Sequence, residues 1–171
     1  FGLTLRQVID DIAGGVSPGK EIKLLQTGGP LGGFLGASKL DVTLDFDEMA
    51  AAGAILGSGG IIVGDENSCA VEMAKVLADF NNEESCGKCF PCRLGAKHIL
   101  EALGKMTRGE AKDGDVEKRL GLSGTLLTSL CGHGQLSVNP IRSAVNYFQE
   151  ELDAHILEKR CPAGRCKALV H

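Results

Sequence analysis

The chain has 171 residues, 43% of them hydrophobic, with a formal net charge of −4 and a pI near 5.6. This composition suits a globular protein with apolar material for one core or two small ones, and it excludes a disordered segment. The acidic balance, the absence of Trp and a single Tyr, Tyr147, leave neither a basic footprint for phosphates nor an aromatic platform for bases, so nucleic acid is not an expected partner.

In chain order, Thr4 and Gln7 have the spacing of a capping box, and Leu5, Val8, Ile9 and Ile12 recur at helical intervals before Gly14 and Gly15. One short amphipathic helix is predicted there. EIKLLQ (21–26), KLDVTL (39–44) and GIIVGD (60–65) predict strands, and DFDEMAAAG predicts a helical turn capped by Asp45. TGGPLGG and GSGG lack the spacing of a dinucleotide fingerprint and are expected to be sheet turns. A small β-grasp domain is therefore expected over residues 1–66.

From Asn67 the pattern becomes helical. Val71, Ala74, Leu77 and Ala78 form one stripe, and Ile99, Leu100 and Leu103 form another behind Pro91. Val116, Leu120, Leu126 and Leu127 suggest a third helix entered through Asp113 or Asp115. Ile141, Ala144, Val145, Phe148, Leu152 and Ile156 form the clearest stripe, with Pro140 at its start. Such helices bury their stripes best as a four-helix bundle, expected over residues 67–157 and followed by a Cys-containing tail, 158–171. The fold class expected is α+β. No apolar run is long enough to span a bilayer, and FGLTLRQVID is not a basic-then-apolar leader, so no membrane insertion and a cytoplasmic location are expected.

Seven Cys, an odd number without an export signal, favour metal ligation over a disulfide framework. Cys86, Cys89 and Cys92 form C-x2-C-x2-C, and Cys131 follows in SLCGHG. A [4Fe-4S] cubane needs four converging thiolates; a winding chain can supply three at intervals of three and a distant loop the fourth. A single tetrahedral zinc is the alternative, but zinc knuckles usually pair two C-x2-C units, and here one Cys supplies the far side. A two-cluster ferredoxin is disfavoured because Pro91 precedes the third Cys instead of following a fourth.

Cys161 and Cys166 flank the turn-forming PAGR, His155 lies near the end of the last predicted helix, and Cys69 lies at the start of the first. In an antiparallel bundle those ends coincide, which makes a Cys3His zinc site geometrically accessible. The alternatives are a buried apolar Cys69 with a loose tail, or a Cys161–Cys166 disulfide. His133 is placed either to donate to cluster sulfur or to meet solvent, and His98 to lie on a helix face. Lys88, Arg93 and Lys97 either oppose the charge of a cluster or form a solvated face. Asp113, Asp115 and Glu117 have the pattern of a helix N-terminus.

ESCGKCFPCR followed by the lone Cys of SLCGHG resembles the C-terminal region of the NADH-binding flavoprotein subunit of respiratory complex I. It equally resembles the diaphorase subunits of NAD(P)-linked and electron-bifurcating iron hydrogenases and of NAD-dependent formate dehydrogenases. LQTGGPLGGFL and ILGSGGIIVGDE are similar to the SLBB β-grasp module of those proteins, and HILEKRCPAGRCKAL to the stretch that precedes a further ferredoxin-like domain in the hydrogenase branch. The last likeness favours zinc over the disulfide. The resemblance implies one [4Fe-4S] cluster on Cys86, Cys89, Cys92 and Cys131 that takes electrons from a flavin. It also implies FMN and NAD(P) sites in a larger domain that this chain is expected to lack. The implied partners are a 2Fe-2S thioredoxin-like subunit and a hydrogenase or dehydrogenase catalytic subunit. Two functions are compatible with these features: an electron-transfer module without catalytic residues of its own, and a metal-stabilised docking scaffold without a redox role.

Overall fold

In a computed structural model, which describes residues 2–115, 121 and 124–169, strand β1 (Ile22–Thr27) lies between β2 (Phe34–Gly36) and β3 (Ile61–Asp65) and is antiparallel to both. Side chains alternate across a pleated strand. Leu24 and Phe34 therefore enter a core shared with the helices, while Leu25 and Leu35 enter a second core with Leu5, Ile9 and Met49. One small sheet serves both cores.

The predicted capping box is present: the Thr4 N–H donates to Gln7 Oε1 (2.9 Å) and the Gln7 N–H to Thr4 Oγ1 (3.2 Å). The segment it opens, Gln7–Ile12, is wound as a π-helix, and Ile12 is exposed although the stripe predicts it inside. Asp45 caps α1 (Phe46–Ala51), its Oδ1 accepting the Glu48 N–H at 2.8 Å. KLDVTL is not a strand. Ala37–Lys39 is a 3-10 turn, Leu40 and Asp41 continue turning, and one bridge joins Thr4 and Thr43. The strand beside β1 comes instead from Phe34–Gly36, because the glycines of residues 28–33 allow a tight return and Phe34 and Leu35 can each fill one core.

The helices are α2 (Ala70–Glu83), α3 (Phe90–Thr107), the short α4 (Gly132–Leu136) and α5 (Asn139–Ile156), with a 3-10 segment at Gly124–Thr128. Val71, Ala74, Leu77, Ile99, Leu103, Ile141, Ala144 and Leu152 are buried, as their spacing predicts. Of the third predicted helix, Val116 and Leu120 lie outside the described residues. Leu126 is buried against Gly95, where a Cβ would come within 2.8 Å of its side chain. Among the described residues the helical part thus has three long helices. Helix α5 is broken at Phe148 (φ −137°, ψ 34°).

The TGGPLGG segment is more than a sheet turn. Leu31 O accepts from Asn139 Nδ2 (2.8 Å), Pro30 O from Asn81 Nδ2 (3.4 Å), and the Phe34 N–H donates to Ser143 Oγ (2.8 Å). Gly33, at φ 78°, passes so close to α5 that a Cβ would sit 2.7 Å from Ser143 Oγ. The loop clasps the sheet to α2 and α5. No described helix is long and apolar enough to cross a membrane.

Candidate metal centres

Cys69 is the N-cap of α2, its sulfur accepting the Glu72 N–H at 3.4 Å. A preceding extended residue with an acceptor side chain is what a helix start requires, and a thiol can fill that role. His155 lies in the last turn of α5, fully buried. The tail then turns back through Lys159, at φ 54°, and the Cys161–Gly164 turn, and the Cys166 N–H points at Cys161 Sγ (3.5 Å). Cys69 Sγ is 3.4 Å from His155 Nε2 and 3.8 Å from Cys166 Sγ, and Cys166 Sγ is 3.5 Å from His155 Nε2. With Cys161, the four ligand atoms lie within 4.8 Å of one another and all four residues are buried. A tetrahedron with Zn–S near 2.3 Å and Zn–N near 2.0–2.1 Å has edges of about 3.8 Å between sulfurs and about 3.6 Å between sulfur and nitrogen. The three spacings among Cys69, His155 and Cys166 match those edges.

His155 Nδ1 lies 2.7 Å from the Glu151 carbonyl, which can only accept. Nδ1 therefore carries a proton, and Nε2 is the ring nitrogen turned to the Cys69 and Cys166 sulfurs, where its lone pair would be available to a cation. Contact with the Cys166 thiol, then burial, push the Cys69 thiol above its ordinary value, so ionising it there calls for a cation. All seven cysteines are free thiols, Cys161 and Cys166 included.

The second constellation is built differently. Cys89 is the N-cap of α3, Pro91 occupies its first turn, and Cys92 is buried. Gly87, at φ 70°, turns the chain between Cys86 and Cys89; Arg93 Nη1 holds its carbonyl at 3.1 Å, and its N–H points at Ser85 Oγ (3.3 Å). Cys131 is the N-cap of α4. The segment carrying it lies against the three-Cys run. Backbone N–H groups of Leu130 and then Cys92 hold the Cys89 thiol below its ordinary value. A Cβ on Gly134 would fall 2.5 Å from Ser129 Cβ and 3.0 Å from Cys92 Cβ. The buried Ser129 hydroxyl lies near the Cys89 sulfur without closing a hydrogen bond.

N–H groups aimed at sulfur, an unpartnered buried hydroxyl and a glycine with no room for a methyl fit a cradle for thiolates. Among the described residues these four sulfurs do not gather at the spacing of a single ion, as the other four ligands do. Cys86 and Cys131 are exposed, and beside them Phe90 (66%) and Leu130 (76%) present apolar surface. This rim is where a neighbouring protein could approach.

His133 reaches neither sulfur nor bulk solvent with its Nε2. That nitrogen donates to the Asn81 carbonyl at 2.9 Å and ties α4 to α2. Lys88, Arg93, Lys97 and His98 are all exposed. Sequence reasoning missed Ser85, whose Oγ is 3.2 Å from Cys92 Sγ, Ser129, and the Lys23–Glu151 pair at 2.7 Å. The available signal for Glu151 was a carboxylate in step with the apolar stripe Ala144, Phe148, His155.

Residues 72–155 match the family described as the NADH-ubiquinone oxidoreductase-F iron-sulfur binding region. The chain is 46% identical over 171 residues to the HndC subunit of the NADP-reducing hydrogenase of Solidesulfovibrio fructosivorans, covering 99% of this chain and 35% of that protein. It is 36% identical over 163 residues to the second F-type component of the NADH-quinone oxidoreductase of Rhizobium meliloti (strain 1021), covering 95% of this chain and 39% of that protein. The chain thus spans little more than a third of the length of these relatives. A crystal structure of an NAD+-reducing [NiFe]-hydrogenase in the H2-reduced state superposes with a TM-score of 0.79 at 29% identity, over 91% of this chain and 26% of that one.

Proposed function

Because residues 72–155 match the NADH-ubiquinone oxidoreductase-F iron-sulfur binding region, we propose that the chain is the electron-transfer module of an NAD(P)H-linked flavin and iron-sulfur oxidoreductase. Cys86, Cys89, Cys92 and Cys131 are its [4Fe-4S] ligands. The observation that carries this reading is that the family match encloses all four, whereas Cys69, Cys161 and Cys166 fall outside it. When bound, a [4Fe-4S] cluster supplies one-electron redox chemistry, which is what links a two-electron flavin to a chain of single-electron carriers.

The chain's residues do the rest. The Leu130 and Cys92 N–H groups offset negative charge on the Cys89 sulfur, and hydrogen bonds to ligand sulfur are among the factors that set cluster potential. Cys92 closes the cradle on the protein side, while the exposed Cys86 and Cys131, with Phe90 and Leu130 beside them, form the edge offered to a partner. FMN and NAD(P) belong to another part of the longer protein. The partners are further subunits, a 2Fe-2S thioredoxin-like one and a hydrogenase or dehydrogenase catalytic one. Cys69, His155, Cys161 and Cys166 hold a structural Zn²⁺, since four protein ligands fill the tetrahedron and leave no open position.

Anaerobic reduction of the reconstituted chain tests the redox reading. A low-temperature paramagnetic signal that Cys89→Ser removes or transforms is expected. A reconstituted protein that is silent on reduction, with zinc on the four cysteines, would sink it.

A further inference from the structure

We propose that Lys23 and Glu151 are positioning residues for the Cys69, His155, Cys161 and Cys166 centre, setting two of its ligands from strand β1. The inference rests on the zinc reading above and goes beyond it.

Cys69 is bracketed on both sides. Lys23 Nζ donates to the carbonyl of Ser68, immediately before it, at 2.6 Å. Glu151 Oε1 accepts the N–H of Ala70, immediately after it, at 3.0 Å. The two bracketing side chains are themselves joined, Lys23 Nζ to Glu151 Oε2 at 2.7 Å, with Glu151 only 8% exposed. Glu151 also reaches the second ligand, because its main-chain carbonyl accepts the Nδ1–H of His155 at 2.7 Å. One residue thereby fixes the backbone that carries Cys69 and the tautomer and ring direction of His155.

The break at Phe148 makes this anchoring necessary. The last two turns of α5 do not inherit their direction from the helix before the break. Tyr147, just ahead of it, donates to the Ala52 carbonyl, and Glu151, just after it, is pinned to Lys23. The segment bearing His155 is thus located by the carboxylate and not by helix continuity. A surface ion pair would be worth little, but this one uses both carboxylate oxygens on partners from two other elements and is nearly buried.

The experiment uses the full chain with zinc and cluster in place and follows zinc release to a chromophoric chelator, together with the visible spectrum after Co²⁺ replacement. Glu151→Ala should speed zinc release about 10- to 100-fold, the range for loss of a group that orients a ligand. Its Co²⁺ bands should shift while iron content stays at the wild-type level. Lys23→Met should accelerate release by a smaller factor. Lys20→Met, which removes the exposed Lys20–Glu66 pair, should change neither readout. Wild-type release rates and Co²⁺ bands in both Glu151→Ala and Lys23→Met would overturn the proposal. If Glu151→Ala does not fold, wild-type behaviour of Lys23→Met alone would overturn it. A wild-type chain that holds neither zinc nor Co²⁺ would overturn the zinc reading itself.

Discussion

Cys69 holds two positions at once, as the cap of α2 and as one of four ligand atoms that lie within 4.8 Å of one another. The sequence places it in the first turn of that helix and not as its cap. It shows the second only by inference from how bundle ends meet. The metal-type constellations were legible because ligands must be Cys or His and their spacing survives in one dimension. Ser129, Ser85, Lys23 and Glu151 were not, because what they do depends on which elements pack together. Two predictions belong to single residues. Cys161→Ala should take zinc from about one per chain to none. It should also accelerate hydrogen exchange over residues 158–169 while leaving the cluster spectrum intact. Gly134→Ala should lower iron incorporation with the helical circular dichroism preserved, since its methyl would meet Ser129 and Cys92 side chains inside the cradle.

Among the elements, the loop of residues 28–33 departs furthest from its sequence signal. Read in one dimension, its glycines mark a turn; in three, they let backbone approach α5 closely enough for the Phe34 N–H to find Ser143 Oγ. Removing that buried acceptor with Ser143→Ala should cost about 1–3 kcal/mol, read as a lower melting temperature and faster exchange at the Phe34 amide. KLDVTL teaches the converse. Its alternation is real, and Leu40, Val42 and Leu44 do face the second core, but the segment bonds to residues 3–6 through single backbone contacts and not through a ladder. Alternation reports which side chains are buried, not whether neighbouring backbone pairs continuously. The three long helices were read more accurately because apolar residues recur at helical spacing within each, and Pro91 and Pro140 mark the starts of α3 and α5.

Across the whole molecule, α2 separates the two centres. It begins at Cys69 and ends just before Cys86, and its 14 residues at ~1.5 Å each span ~21 Å. Helix α5 returns the chain from the Cys131 end to the Cys69 end, so one centre lies at each end of the same helix pair. On the proposed function this divides the labour, the exposed group exchanging electrons and the buried one fixing the tail. The chain contains no dinucleotide fingerprint, so alone it should neither oxidise NADH nor retain flavin; tight stoichiometric flavin would contradict that expectation.

Iron, sulfide and zinc analysis of three anaerobically reconstituted chains separates two independent centres from a single shared one. Wild-type should carry about four iron, four sulfide and one zinc. Cys89→Ser should lose or degrade the cluster and keep its zinc, and Cys161→Ala should lose zinc and keep the cluster. If iron disappears with Cys161 and survives the loss of Cys89, the cluster lies on the buried Cys3His group, and the assignment of the two centres is reversed.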